Sequence, residues 1–501
     1  MNRNNEISSA DRLDPLTLTK AGLIFLIACL FYFLARSPGL DDYDSVQFAM
    51  GVGSFDVWHH QPHPPGYPLY IALGKVGVRL LGTTPELSLH FVSALGGALF
   101  IAAWFLIIRL QFNERLAWWL TACLAITPVV WMTSTKVLTD SLATGFLSAE
   151  ILAALYFSRR GGTASLLTAA LFGAAASGAR PQLILVAAVI LVVALRRRRA
   201  PAKMAVWVFG GLFCACLLWL LPTWYLQWRL RPAVPLWLVY PKLIYSQWVW
   251  RLDKPHAYIG AGDWSVSYLA TRFGSHFGGW FGIGFGLLRS PIAFVAGTLI
   301  LGFGLVTYFS RRREAEDRQF WQLHAPWALV HIVIIFAFLP SSPRYYLIIF
   351  PLLLVVLLRG YLRMSSPFHR LALALPCFLL AVLAPSALEN HRDEAPPVQL
   401  VRYLANRYPA SERSNVALLF INARRHAEWY APGFMTFAEV PPASELPRIL
   451  KEATAVYADD EKVALPAGWK RVPLEVYHRS LVIYPKYHTL HLFLIERNDA
   501  S

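Results

Sequence analysis

The chain has 501 residues, a net charge of +16 and 56% hydrophobic residues, and its apolar residues gather in long runs instead of short alternations. Such runs exclude a soluble core and, having helical length, a barrel as well, because a helix needs about 20 apolar residues to span a bilayer with its backbone satisfied. The positive charge lies in short clusters between runs, at Arg159 and Arg160, Arg196 to Arg199 with Lys203, Arg311 to Arg313 with Arg318, and Arg359, Arg363 and Arg370. That placement excludes a nucleic-acid stripe and reads as a topology signal, since Lys and Arg beside spans stay cytosolic.

Taken in chain order, the first run, 21–35, follows Arg3, Arg12 and Lys20 and lacks a clean small-x-small cleavage site, so it is expected to remain as the first span. The acidic, aromatic loop 37–68 then faces outward. An interfacial helix is expected at 69–81, followed by spans at 87–110, 116–132, 138–157, 165–179, 182–195 and 204–224. A segment dense in Trp, Tyr and Gly, 225–290, has the composition of the headgroup level on the outward side. Spans at 291–309, 325–339, 345–358 and 371–386 complete a count of about eleven, which takes the chain from a cytosolic N-terminus to an outward C-terminus. The expected fold class is therefore a polytopic α-helical membrane protein, residues 1–388, with a small soluble extracytoplasmic α/β domain at 389–501.

In that tail the pattern alternates: helix 398–407, strand 416–421, helix 425–430, strand 435–440, helix 443–453, strand 455–458 and terminal strands at 474–477 and 489–496. It carries no Gly-rich phosphate loop. All five cysteines fall in apolar runs, so neither a disulfide framework nor a thiolate zinc site is expected, and the absence of any Asn-x-Ser/Thr acceptor leans toward a bacterial membrane. No internal repeat is evident.

Charged groups next to spans are costly and mark candidate sites. Asp41, Asp42 and Asp44 follow the first span; three carboxylates within four residues can serve as a general base, as metal ligands or as a solvated loop start. His59, His60 and His63 lie in a loop stiffened by four prolines and Gly66, and with Tyr67 they are expected to hydrogen-bond backbone or substrate; their spacing matches no zinc pattern, so a divalent metal remains an alternative only. Lys136 and Asp140 sit at the next outward turn, as a helix-capping ion pair or as a second carboxylate beside the first loop. Arg180 and Arg344, the latter followed by Tyr345, run against the positive-inside bias and call for an anionic partner such as a lipid phosphate.

Together these residues resemble the C-type, lipid-phosphate-sugar-dependent glycosyltransferases, the superfamily of the protein mannosyltransferases and the aminoarabinose transferases of lipid A. In that family an Asp follows the first span with an aromatic and Ala a few residues on, and a Lys/His-Pro-Pro segment leads into an interfacial helix. Asp44-Ser45-Val46-Gln47-Phe48-Ala49 and His63-Pro64-Pro65-Gly66-Tyr67-Pro68 occupy those places here, joined by Asp140, Arg180-Pro181 and Arg344-Tyr345. Ser45 replaces the usual second acid and His63 stands where some relatives have Lys, which leaves open which of Asp41, Asp42 and Asp44 is the base; the spacing to Phe48-Ala49 favours Asp44.

The resemblance implies transfer of a sugar, with inversion, from a polyprenyl-phosphate carrier to a lipid, glycan or protein hydroxyl on the outer side of the bacterial inner membrane. Asp44 would be the base; Arg180 and Arg344, with His63 or Lys136, would bind the carrier phosphate, and aromatic residues of 225–290 would line the cavity. No cofactor is certain and no nucleic-acid partner is expected. A transporter or flippase, or a non-catalytic partner in surface-polysaccharide export, is the competing reading; it expects ionisable residues near span midpoints and internal symmetry.

Overall fold

The computed structural model describes residues 13–252, 265–311, 314–339, 341–364, 372–442, 444–480 and 488–498. Helix starts follow local chemistry. Asp14 accepts the Thr17 N–H at 2.6 Å ahead of Pro15 and opens α1 (Pro15–Leu34); the short α2 (Tyr43–Gly53) and α3 (Pro68–Leu81) follow. Thr84 caps α4 (Pro85–Gln111), and Asn113 caps α5 (Glu114–Ala125).

Beyond α5 come α6 (Pro128–Thr135), α7 (Thr139–Arg160), α8 (Thr163–Ala179), α9 (Ile184–Arg198) and α10 (Ala202–Leu230). The aromatic segment 225–290 holds α11 (Val239–Leu252) and α12 (Val266–Phe277). After it lie α13 (Pro291–Ser310), α14 (Ala315–Phe338), α15 (Phe350–Leu362) and α16 (Ala374–Arg392).

Each expected apolar run falls on helix over most of its described residues, but the count of eleven spans is not reached on length and apolarity. Seven described helical stretches qualify, and an eighth if α5 and α6 are taken as one bent span. Those two form the run expected at 116–132, and they meet at 61°, because Pro128 has no N–H to continue the ladder and starts a new helix instead. Helices α8, α9 and α16 lie at three other expected runs without qualifying. Helix α14 begins ten residues before its expected start, since Glu314 and Asp317 form a capping box that carries the helix into charged sequence.

The middle of the bundle is α4, buried over 83% of its apolar window, with α1 and α7 against it, whereas α10 is buried over only 11% and shows its apolar face outward as a lipid-facing helix does. Contact between α4 and α7 is made backbone to backbone. A Cβ on Gly145 would lie 2.5 Å from the Gly96 carbonyl oxygen, and one on Gly96 would lie 2.4 Å from the Leu142 backbone. Association without a hydrophobic driving force relies on this kind of small-residue seam.

Described members of the basic clusters, on α7, α9 and α15, gather at one end of the bundle. Arg198, at the end of α9, donates to the Arg159 carbonyl at the end of α7, and Arg359 pairs with Glu314 at 2.6 Å and Asp317 at 2.7 Å. Since α7 runs the length of the bundle, Asp140 in its first turn marks the opposite end.

The C-terminal elements follow the expected order, α17 (Pro396–Arg407), β1 (Val416–Leu419), α18 (Arg424–Tyr430), β2 (Met435–Thr436), α19 (Leu446–Glu452), β3 (Ala455–Ala458), β4 (Trp469–His478) and β5 (Thr489–Arg497), but β2 keeps only two residues of the strand expected at 435–440 and β4 outgrows the one expected at 474–477. The sheet has the order β2-β1-β3-β5-β4. Its first three strands are parallel, with Ala417 opposite Met435 on one side and Val456 on the other; β5 then runs antiparallel to both β3 and β4. Strand alternation sends Val416, Leu418 and Tyr457 to a face covered by Leu400 and Leu404 of α17, and Ala417, Leu419 and Val456 to a face covered by Leu446 and Ile449 of α19. Adding a methyl at Gly145 is expected to part α4 from α7. Gly145→Ala should lose about 2–3 kcal/mol of stability in a detergent melt, while Gly210→Ala, whose Cβ meets nothing within 4 Å, should lose none; equal melts would show that the seam does not hold the bundle.

Candidate active site

The first loop is folded by its own short-range chemistry. Asp42 occupies the position before α2 without a side-chain capping hydrogen bond, and Asp44 sits in the first turn, where the helix dipole favours a carboxylate. Asp56 and Gln61 exchange two backbone hydrogen bonds of 2.8 Å and close a turn that brings the proline segment back against α2. The packing there is close: a Cβ on Gly51 would lie 2.7 Å from Pro62 Cδ.

His63 is thereby turned under α2. Its Nδ1 lies 2.8 Å from Gln47 Oε1 and 3.9 Å from Asp44 Oδ1, and its Nε2 lies 2.9 Å from Tyr67 Oη. Burial lowers the His63 pKa to about 4, against the opposing pull of Asp44, so the ring is neutral in the ordinary range. Burial also raises the Tyr67 phenol, which keeps it a hydroxyl donor.

Three distant stretches then meet. Arg344, in the 3₁₀ turn Pro343–Ile349 before α15, donates from Nη2 to Asp44 Oδ2 at 2.6 Å. Arg180, at the end of α8, donates to Asp140 Oδ2 at 2.7 Å and to Thr139 Oγ1 at 3.0 Å, both at the start of α7. The two guanidinium groups lie over the Tyr345 ring, at 5.0 Å for Arg180 and 5.2 Å for Arg344, and His331 Nε2 holds the Tyr345 carbonyl at 2.9 Å. Asp44, Arg344, Tyr345, Arg180 and Asp140 thus form one continuous chain of contacts. Its ends differ: the Asp44 side chain is 26% exposed and Asp140 2%, so Asp44 is the carboxylate that a molecule from solution or lipid can reach.

The other two loop acids are placed differently. Asp41 is fully enclosed, 3.0 Å from Arg479 Nη1 and 3.2 Å from Lys136 Nζ, and it accepts from Ser37 Oγ at 2.5 Å. Burial acts to raise its pKa, but Arg479 and then Lys136 outweigh burial and hold it at about 2. Lys136 is itself buried beside Asp41. Asp42 is partly buried, and its pKa is raised by desolvation against the pull of Lys136 and Arg344.

His59 turns to Asp56 at 2.5 Å and His63 to Gln47 and Tyr67, and among the described residues no three His, Cys, Asp or Glu converge on one point. Part of the aromatic segment, 253–264, lies outside the described residues. Elsewhere it backs the loops: Tyr240 donates to the Pro65 carbonyl at 3.1 Å, Gln227 accepts from the Val57 N–H at 2.9 Å, and Trp280 stacks on Tyr346 with ring centroids 5.2 Å apart. An apolar groove of about 410 Å³ between α3, α8 and α10 draws on Leu69, Lys75, Ala174 and Trp219, and only Leu226 of its lining comes from that segment.

Several residues that shape the site were not read from the sequence: Arg424, Arg425, His426, Tyr430 and Arg479 of the C-terminal domain, and Glu86. Each contacts the first loop or its support from more than 40 positions away, and no local motif marks them. The one available signal is the general cost of burying charge.

Residues 62–225 match the family model described as dolichyl-phosphate-mannose-protein mannosyltransferase. No curated protein matches the sequence. Among solved structures, ArnT from Cupriavidus metallidurans bound to undecaprenyl phosphate is 13% identical with a TM-score of 0.57, covering 97% of this chain and 98% of that one. The same protein in the apo state gives 12% and 0.55, over 95% and 98%. A fainter likeness, 13% with a TM-score of 0.49 over 87% and 68%, is to the Archaeoglobus fulgidus oligosaccharyltransferase with Zn and sulfate. The chain accordingly has the same overall fold as the two ArnT structures, and the mannosyltransferase family model covers its residues 62–225.

Proposed function

We propose that this integral membrane protein transfers a sugar from a polyprenyl-phosphate carrier to an acceptor hydroxyl on the extracytoplasmic side of a bacterial inner membrane, with the N-terminus cytoplasmic and the C-terminal domain outside. The observation that carries this reading is the pair of guanidinium groups on one tyrosine ring, with a reachable carboxylate at 2.6 Å from the second. Guanidinium matches phosphate oxygens in a bidentate fork, and a carboxylate beside it is placed to take a proton.

In the reaction, Asp44 accepts the proton of the acceptor hydroxyl while the acceptor oxygen bonds to the anomeric carbon from the side opposite the phosphate. The bond from that carbon to the phosphate oxygen breaks, and the electron pair leaves with the carrier phosphate. The fork of Arg344, with Arg180 behind it, stabilises the charge that develops there. Arg344 links the two events, because a phosphate that draws its guanidinium frees Asp44 for the proton. Tyr67 and neutral His63 are hydrogen-bonding groups of the same pocket. The apolar groove of α3, α8 and α10 suits a carrier's hydrocarbon chain, and the similar ArnT structure holds undecaprenyl phosphate. Lipid, glycan and protein acceptors all supply the required hydroxyl.

One feature favours the transporter reading. Glu150, halfway along α7, is fully buried, and neither of its carboxyl oxygens has a hydrogen-bond partner among the described residues. It packs against Gly173 of α8, far along α7 from Asp140 in the first turn.

In proteoliposomes offered radiolabelled undecaprenyl-phosphate sugars and envelope extract, release of undecaprenyl phosphate should fall about 10²–10⁴-fold in Asp44→Asn and about 10–100-fold in Arg344→Lys, which keeps the charge but not the fork. Asp44→Asn turning over like the wild type would remove the enzymatic reading. Glu150→Gln should release within about two-fold of the wild type; loss of activity there, with Asp44→Asn intact, would favour transport. The depressed His63 pKa sets a stability window. Unfolded His63 takes up a proton near 6.5 and the folded ring only near about 4, so its contribution is complete above 6.5 and is lost as pH falls toward 4. The thermal midpoint of His63→Gln should therefore decline less between pH 6.5 and 4 than that of the wild type, and parallel declines would refute the assignment.

A further inference from the structure

Helix α18 is seven residues long, and nearly every side chain that it turns toward the membrane domain grips the loop that carries Asp44. His426 Nε2 lies 3.1 Å from the Leu40 carbonyl oxygen, and Tyr430 Oη accepts the Leu40 N–H at 2.7 Å. Arg424 Nη2 donates to Tyr43 Oη at 2.8 Å, and Arg425 Nη2 donates to the His59 carbonyl at 2.7 Å. Tyr430 and Trp429 both donate to Glu86 Oε1, at 2.6 and 3.1 Å, which ties α18 to the start of α4 as well.

The grip is rigid at its root. Asp459, at the end of β3, accepts the backbone N–H groups of Ile421, Asn422 and Ala423 at 2.7, 2.7 and 2.6 Å, and so locks the turn that leads into α18 onto the sheet. A second attachment comes from the far end of the domain. Arg479, just after β4, reaches a dry pocket where its side chain, those of Asp41 and Lys136 are each at most 1% exposed; there it meets Asp41 and donates to the carbonyls of Asn390 at 3.0 Å and Asp393 at 2.5 Å.

These contacts fall at residues 40, 41, 43 and 59, on both sides of Asp44 along the chain, and a carboxylate three residues from a buried triple-charge contact has little freedom to shift. We propose that the C-terminal domain is a clamp that positions Asp44, with Arg479 and Arg424 as positioning residues of the transfer step. This rests on the reading of Asp44 as the base. A misplacement of about 1 Å at a reacting group can cost about a hundredfold in rate, so the clamp acts on kcat. A domain that captured the acceptor or donor would act on KM.

Arg424 is near the surface of the clamp, 14% exposed, so Arg424→Gln is the variant that keeps the fold if Arg479→Gln does not. Two measurements test the proposal in the full-length protein in proteoliposomes. In hydrogen–deuterium exchange without substrate, the 40–50 segment should exchange faster in Arg424→Gln and in Arg479→Gln than in the wild type. In undecaprenyl phosphate release, Arg424→Gln should lower kcat about tenfold and Arg479→Gln about a hundredfold, each with donor KM within about two-fold, and Arg479→Lys should recover part of the loss. Wild-type exchange at 40–50, or a raised KM with kcat unchanged, would overturn the clamp. Asp44→Asn active with the exchange difference still present would sink the base assignment and leave the clamp standing.

Discussion

Charge in a low-dielectric setting has to be neutralised locally, and at the far end of this bundle from its basic clusters that requirement organises everything else. Removing one partner of a buried ion pair costs about 3–5 kcal/mol, because the other is left uncompensated. Arg180 therefore commits to Asp140, Lys136 and Arg479 to Asp41, and Arg344 to Asp44. The first two arrangements are closed off from solvent, and the third is open. The open pair joins the only reachable acid of this chain of contacts to a cation whose fork suits phosphate.

The closed arrangements support the open one. Asp140 and Thr139 fix Arg180, Arg180 and Arg344 share the Tyr345 ring, and the Asp41 cluster pins the strand of loop that leads into α2. Beneath them the α4–α7 seam brings two helices to backbone contact at Gly96 and Gly145, which sets where the first turn of α7, and so Asp140, must lie. The same dependence makes the C-terminal sheet more than an appendage: its α18 edge and Arg479 complete the surroundings of the loop.

Much of this was legible beforehand. Apolar runs gave the approximate position of the long apolar helices, the alternation of helical and strand patterns gave the order of elements after residue 395, and Asp44, Asp140, Arg180, Arg344 and Tyr345, all singled out in the sequence, lie in one chain of contacts. What resisted was of two kinds. Bends and helix ends turned on single residues, Pro128 breaking one expected span and the Glu314–Asp317 box lengthening another. Roles within a cluster were equally hidden, since Asp41, Asp42 and Asp44 share a residue type and differ only in what surrounds them. Glu150 stands in the sequence as an acid inside the run 138–157, but its burial without a hydrogen-bond partner among the described residues is a product of packing.

The sequence by itself determined which segments are long apolar helices, since hydropathy is a sum over local residues and needs no fold to evaluate. It also determined the local frames: Pro and Gly around His63, the caps of α1 and α4, the acids at helix starts. Tertiary structure alone decided which acid is reachable, which cation answers which anion, and that Arg424, 381 residues downstream, grips the loop at Tyr43. Those are questions of distance and dielectric between segments far apart in the chain. Coulomb energy and desolvation depend on the full set of neighbours, and only packing brings them together.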